Sequence, residues 1–387
     1  MNKAFKTTSK VLANTFTILF GVITVGSSIA LDNASAINGA FNIPVQKVVI
    51  DENAEIKSYY DSDYFDVEDL RKASEDIVEE VMSEGLVMLK NDNNALPLKE
   101  KSTISLYSAN SVNFVYTGGG SSGANAKAVK KATTLKSGLE KSGFTVNKDL
   151  WDFYSSHEEY WQGTDFSGNQ SQNKSYRTKD APWSELPSAK NNKADAAIVV
   201  LSRSAGENRD MFESKNEVLD DSNNYLALSN NEKDILTNLK KLKDNGTIKK
   251  IIVLMNSANQ IQCDFVDNNE YSIDSLLWCG TTGSTGTIAI GKVLAGKVNP
   301  SGNLSTTFFY KHSANPVYYN IGATEYGNSS NITSYRNGEN KYYVAYQEGI
   351  YNGYKYTETR YEDSILNKEN VGDFDYSKVV KYPFGYG

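Results

Sequence analysis

Four short runs constrain this chain most: residues 104–107, 196–201, 251–255 and 275–278. They are apolar almost throughout rather than alternating, the pattern of strands buried on both faces. Helical periodicity fills the stretches between them. Residues 132–143 read as a helix stopped by glycine. Ser229-Asn230-Asn231-Glu232 opens another as a capping box, with Ile235, Leu236, Leu239 and Leu242 on one face before Asn245-Gly246 ends it. Residues 283–286 precede a third, with Ile288, Ala289, Val293 and Leu294 inward. Strands alternating with helices predict an α/β fold, a mostly parallel sheet sandwiched by helices. In such sheets ligands collect beyond the carboxyl ends of the strands.

The N-terminus reads differently. Lys3, Lys6 and Lys10 precede residues 11–31, which carry no charge. Basic residues followed by an apolar stretch form an export signal, and this stretch is also long enough to span a bilayer. Ala34-Ser35-Ala36 resembles a cleavage site. Residues 1–36 are therefore expected to be a signal or a membrane anchor. The remainder is expected outside, held at the cell membrane or secreted, with the lysines inside. Residues 37–66 read as a spacer and 67–387 as the folded domain. Within it, 67–88 has helical spacing, 155–190 is a polar surface excursion, and 350–356 reads as strand.

A net charge of −7 without any long Lys/Arg block excludes a general nucleic-acid binder. Cys263 and Cys279 are expected as buried small apolar residues rather than a bridge. His157 and His312 stand apart from any Cys or carboxylate cluster, so both read as surface or loop histidines, with no metal expected. Gly118-Gly119-Gly120-Ser121-Ser122-Gly123 lacks the spacing of a phosphate loop and reads as a structural turn; no nucleotide or other cofactor is expected. The tyrosines of 342–361 could stack on sugar rings, but packing is the favoured reading. Trp278 ends a buried strand and is expected in the core.

The polar loop after residues 196–201 carries the most chemistry. Ser202-Arg203-Ser204-Ala205-Gly206-Glu207-Asn208-Arg209-Asp210 crowds opposite charges around one glutamate at a strand's carboxyl end. In a partly dry cleft Glu207 could hold a proton near neutrality, give it to a leaving oxygen and take one back from water. Arg203 and Arg209 oppose that by favouring the ionised form, unless Asp210 occupies one of them. Alone, the loop also reads as a charged turn with a local ion pair.

Five segments in order resemble glycoside hydrolase family 3. Beside the Glu207 loop these are Glu84-Gly85-Leu86-Val87-Met88-Leu89-Lys90-Asn91 with Leu96-Pro97-Leu98, and Asn299-Pro300-Ser301-Gly302-Asn303-Leu304 with the helix before it. Glu348-Gly349-Ile350-Tyr351-Asn352-Gly353-Tyr354-Lys355-Tyr356 and Pro383-Phe384-Gly385-Tyr386-Gly387 complete them. Thr282-Gly283 departs from the family's Pro-Gly, and Asn303 stands where arginine is usual.

The resemblance implies the family's α/β sandwich, or C-terminal, domain and β-glucosidase-like, retaining hydrolysis of β-linked glucosides or oligosaccharides. It implies Glu207 as acid/base, with Arg203, Arg209 and Asp210 binding substrate or supporting the loop. The nucleophile would belong to a TIM-like barrel, supplied in cis or in trans, for which this sequence offers no eight βα units. A targeting segment directly before the sandwich is similar to the permuted, sandwich-first subgroup, and the stop at Gly387 reads as truncation. One carboxylate cannot run the two-step reaction. The alternative is therefore a non-catalytic carbohydrate-binding or scaffold module.

Overall fold

The computed structural model describes residues 3–41, 63–117, 132–160, 180–203, 225–320, 324–331, 342–343, 345–372 and 374–387. It divides into two units, Met1–Asp63 and Tyr64–Gly387. The first holds helices α1 (Lys3–Asp32) and α2 (Ala34–Ala40). Thr7–Asp32 of α1 is long and apolar enough to cross a membrane. At 1.5 Å per residue those 26 residues reach about 39 Å, more than a hydrocarbon core of about 30 Å.

The second unit is built on a six-stranded sheet. In chain order its elements are α3 (Val67–Gly85), β1 (Val87–Asn91), β2 (Thr103–Tyr107), α4 (Leu135–Lys141), β3 (Thr145–Val146), α5 (Lys148–Ser156) and β4 (Ala194–Leu201). Then come α6 (Asn230–Asp244), β5 (Ile248–Met255), β6 (Ser275–Trp278), α7 (Thr287–Leu294) and β7 (Phe308–Phe309). The last part holds a small pair, β8 (Thr324–Glu325) and β9 (Tyr342–Tyr343), followed by α8 (Tyr354–Ile365), α9 (Tyr376–Val379) and β10 (Val380–Tyr382). The sheet order is β1-β6-β5-β4-β2-β3. Every pairing is parallel except β1 with β6, so the sheet is mostly parallel, as its apolar strands require.

Residues along β4 divide between two cores. Ala197, Val199 and Leu201 join the layer of α5 and α6, where Leu150, Leu236 and Leu239 pack. Ala196, Ile198 and Val200 join the layer of α4 and α7, with Leu139, Ile290 and Leu294. The period of two puts alternate side chains on opposite faces, and helices cover both. Each fully buried Val, Leu or Ile contributes about 1.5–3 kcal/mol. Ile288 is only partly buried, whereas its neighbour Ile290 is fully so.

Glycine lets α4 and α7 approach closely. A Cβ on Gly138 would lie 2.4 Å from the Thr287 carbonyl oxygen, and one on Gly291 would lie 2.5 Å from the Gly138 oxygen. Both obstacles are backbone. Gly138→Ala should therefore destabilise the domain by about 1–3 kcal/mol through overpacking, even though alanine favours helix by about 1 kcal/mol. Urea unfolding measures it; a neutral or stabilising effect would show that the helices separate freely.

The structure corrects several boundaries. The helix expected over 67–88 ends at Gly85, and Val87 and Met88 belong to β1, paired antiparallel with β6. Leu86, Val87 and Leu89 are all buried, so an apolar run here satisfied either period. The helix expected over 132–143 is shorter, Leu135–Lys141, with Thr134 accepting from the Ser137 N–H as its cap. Residues 350–356 are not a strand, since α8 starts at Tyr354 after Gly353, whose φ is 59°. The tyrosines gave strand propensity, which depends on context and here yields to aromatic packing. Tyr354 stacks on Phe384 at 4.2 Å and Tyr361 meets Tyr376 at 4.6 Å.

Candidate functional site

The parallel register aligns Leu201, Met255 and Trp278 in one row, the carboxyl edge of β4, β5 and β6. Loops leave this edge, and one side chain joins three of them. Asn256, fully buried one residue past β5, accepts from the Val115 N–H at 2.6 Å and donates to the Val115 and Gly280 carbonyls at 2.9 and 2.8 Å. The Ser202 hydroxyl donates to the same Asn256 oxygen at 3.3 Å. The Ser257 hydroxyl donates to the Arg203 carbonyl at 3.0 Å, and the Trp278 indole N–H to the Ser257 carbonyl at 2.8 Å. Trp278 is half-buried, edge-on to Phe308.

Arg203 sits two residues past β4 and is 1% exposed. Its Nε donates to the Tyr225 carbonyl at 2.7 Å. Nη1 donates to the Ser202 carbonyl at 2.8 Å and to Glu232 Oε1 at 2.9 Å. Nη2 donates to the Ala227 carbonyl at 2.6 Å and to Glu232 Oε2 at 2.7 Å. A guanidinium has five N–H donors, so none is left over. Tyr225 and Ala227 follow residue 224 in the chain, so this one side chain ties together residues on either side of 204–224. That segment carries Glu207, Arg209 and Asp210, which lie outside the described residues.

Glu232 does two things at once. It closes the capping box of α6, accepting from the Ser229 N–H at 2.7 Å while Ser229 Oγ accepts from the Glu232 N–H at 3.1 Å. The capping box was legible in the sequence. The ion pair with Arg203, 29 residues away, had no local signal. Asn256 was missed for the same reason, since its partners come from three separate loops.

Asp180 is a further buried carboxylate beside this edge. Its Oδ1 accepts from the Ala109 and Ala181 N–H groups at 3.0 and 2.9 Å. Burial pushes its pKa from 3.8 up to about 6, against the hydrogen bonds of Ser108, Ala109 and Ala181, with the Glu232 charge adding to the rise. The fold thus favours the protonated form. The contribution is complete below the unfolded value of 3.8 and is lost as pH rises through about 6. The parent is expected to lose stability between about pH 4 and pH 7 from this group, and Asp180→Asn to flatten that slope; urea unfolding across the range measures both.

His157 caps the end of α5 and is partly exposed. His312 is not a surface residue: it is 5% exposed, and burial lowers its pKa to about 4, with a hydrogen bond to the Gln260 backbone opposing the shift. Cys263 and Cys279 are free and buried. Among the described residues no group of three or more His, Cys, Asp or Glu side chains could hold a metal ion. The glycine loop 118–123 lies outside the described residues.

A mostly parallel sheet between two helical layers, with Arg203 and Asn256 buried at its carboxyl edge, defines an α/β sandwich. Residues 86–354 match the glycosyl hydrolase family 3 C-terminal domain, and the chain belongs to that family. It is 28% identical over 319 residues to a beta-glucosidase of Ruminococcus albus, covering 80% of this chain and 27% of that protein. It is 28% identical over 332 residues to beta-glucosidase A of Butyrivibrio fibrisolvens, covering 80% of this chain and 34% of that protein. The crystal structure of a beta-glucosidase from Paenibacillus barengoltzii shares the fold, with a TM-score of 0.59 at 23% identity over 81% of this chain and 29% of that one. The chain thus spans about a third or less of these relatives.

Proposed function

We propose that this chain supplies the acid/base-bearing domain of a retaining, β-glucosidase-type glycoside hydrolase, with Glu207 as the proton donor. The observation that carries the reading is the clamp of Arg203 on Tyr225, Ala227 and Glu232. Fixing the residues on either side of 204–224 to the sheet edge supports Glu207 acting from a defined position. Arg203 supports the loop and does not touch substrate; Arg209 and Asp210 brace it.

In the reaction Glu207 protonates the glycosidic oxygen as the sugar–oxygen bond breaks. A carboxylate of a barrel domain, in cis or in trans, takes the anomeric carbon. Glu207 then removes a proton from water as water displaces that carboxylate, and configuration is retained. α1 supports export, with the helix as signal or anchor and the domain outside the cell membrane. The test joins this chain to a family 3 barrel domain and follows hydrolysis of a nitrophenyl β-glucoside, reading the product anomer by NMR. Turnover with retention supports the proposal. Sugar binding without turnover would leave a non-catalytic carbohydrate module.

A further inference from the structure

Asn256 is fully buried, and its side chain meets three parts of the chain that are far apart in sequence. A primary amide has two hydrogens to donate and two lone pairs to accept with, and Asn256 uses all four. Oδ1 accepts from the Val115 N–H at 2.6 Å and from the Ser202 hydroxyl at 3.3 Å. Nδ2 donates to the Val115 carbonyl at 2.9 Å and to the Gly280 carbonyl at 2.8 Å. An N–H faces one end of the amide and two carbonyls face the other, so its orientation is fixed by its partners. Aspartate has no hydrogens for the two carbonyls when ionised, and alanine makes none of these bonds.

The amide holds a direction that Arg203 leaves open. Arg203 ties its own stretch toward Tyr225, Ala227 and α6. Asn256 and Ser257 hold the same stretch from β5. Ser202 donates to Asn256, and the Ser257 hydroxyl donates to the Arg203 carbonyl at 3.0 Å. Through Val115 and Gly280, Asn256 sets that stretch against the segments after β2 and β6. Those two segments also meet directly, the Gly283 N–H donating to the Tyr116 carbonyl at 2.8 Å.

We infer that Asn256 is a positioning residue for proton transfer: it fixes where the chain leaves β4, and through that stretch where Glu207 acts, relative to the segments after β2 and β6. The inference rests on Glu207 as the proton donor. At 0% exposure Asn256 does not touch substrate, and it works through Ser202 and Arg203, which lead on to Glu207 in the chain. Misplacing a reacting group by about 1 Å can cost about a hundredfold in rate.

The full chain joined to a family 3 barrel domain tests this, with hydrolysis of a nitrophenyl β-glucoside measured per folded molecule. Asn256→Ala should lower kcat about 10- to 100-fold and leave KM nearly unchanged. In a Glu207→Gln background the same substitution should cost almost nothing further, because the group being positioned no longer transfers a proton. A residue that only stabilised the fold would not give that non-additivity. Asn256→Asp keeps the shape but turns a carboxylate oxygen toward two carbonyls. Relative to the parent at each pH, it should be slow at neutral pH and recover as the pH is lowered, when its carboxyl group protonates and donates to one of them. Ser202→Ala removes only the longest of the four bonds. It should fold as the parent does and show a smaller loss, again absent in the Glu207→Gln background. A parent-like kcat in whichever of these variants folds overturns the inference, and so does a loss that multiplies with that of Glu207→Gln. Parent-like turnover in Glu207→Gln itself overturns the acid/base reading and this inference with it, so the two failures are distinguishable.

Discussion

Arg203→Ala should destabilise the sandwich by about 3–5 kcal/mol, because it strands Glu232 as a buried charge without its partner. Both side chains are almost inaccessible, at 0% and 3% exposure, so solvent screens little of the pair. A domain stable by about 5–15 kcal/mol could lose most of its margin. Arg203→Lys should recover only part, since an ammonium has three donors where the guanidinium serves five acceptors. The double variant Arg203→Met, Glu232→Leu removes both charges. It should regain most of the stability, less about 1 kcal/mol for the lost cap of α6. It leaves the Tyr225 and Ala227 carbonyls without their donor, so hydrolysis in the barrel-joined protein should stay low. Urea unfolding reads the first effect and glucoside turnover the second. An Arg203→Ala variant within about 1 kcal/mol of the parent would mean that the loop root is not held by this pair.

Glu207→Gln in the barrel-joined protein should lower glucoside turnover by about 10²–10⁴-fold, the usual worth of a positioned acid/base. Stability should not change, which separates it from Arg203→Ala. Glutamine keeps the shape but can neither give nor take the proton. The deficit should be largest for substrates with poor leaving groups, where protonation of the departing oxygen matters most. Added azide should restore the second step for activated substrates, because azide displaces the enzyme carboxylate without needing a base. The product would be a β-glycosyl azide. Turnover equal to the parent's on an alkyl β-glucoside would refute the role of Glu207.

Much of the architecture was readable from residues close together in the chain. The apolar runs around Ile198 and Val253 identified strands covered on both sides, and Ser229 with Glu232 marked the start of α6. Ordered motifs identified the family. Misreadings arose where neighbours gave two answers. Val87 and Met88 satisfied a helical as well as an extended pattern, and only pairing with Leu277 and Trp278 made them an edge strand. Tyr354 and Tyr356 carried strand propensity but joined a helix after Gly353.

By itself the sequence determined the four core strands, α6 with its cap and the apolar N-terminal stretch. Each is encoded by side chains within a few residues of one another, where periodicity and capping act. Tertiary structure alone decided that Arg203 closes on Glu232 and on the far end of its own loop. It alone placed Asn256 as the tie of three loops, and buried His312. Those choices depend on partners tens of residues apart, which meet only because the parallel sheet brings its carboxyl ends to one edge. The physical reason is desolvation. A buried arginine or amide must find partners, and which ones are within reach is a property of the packed fold.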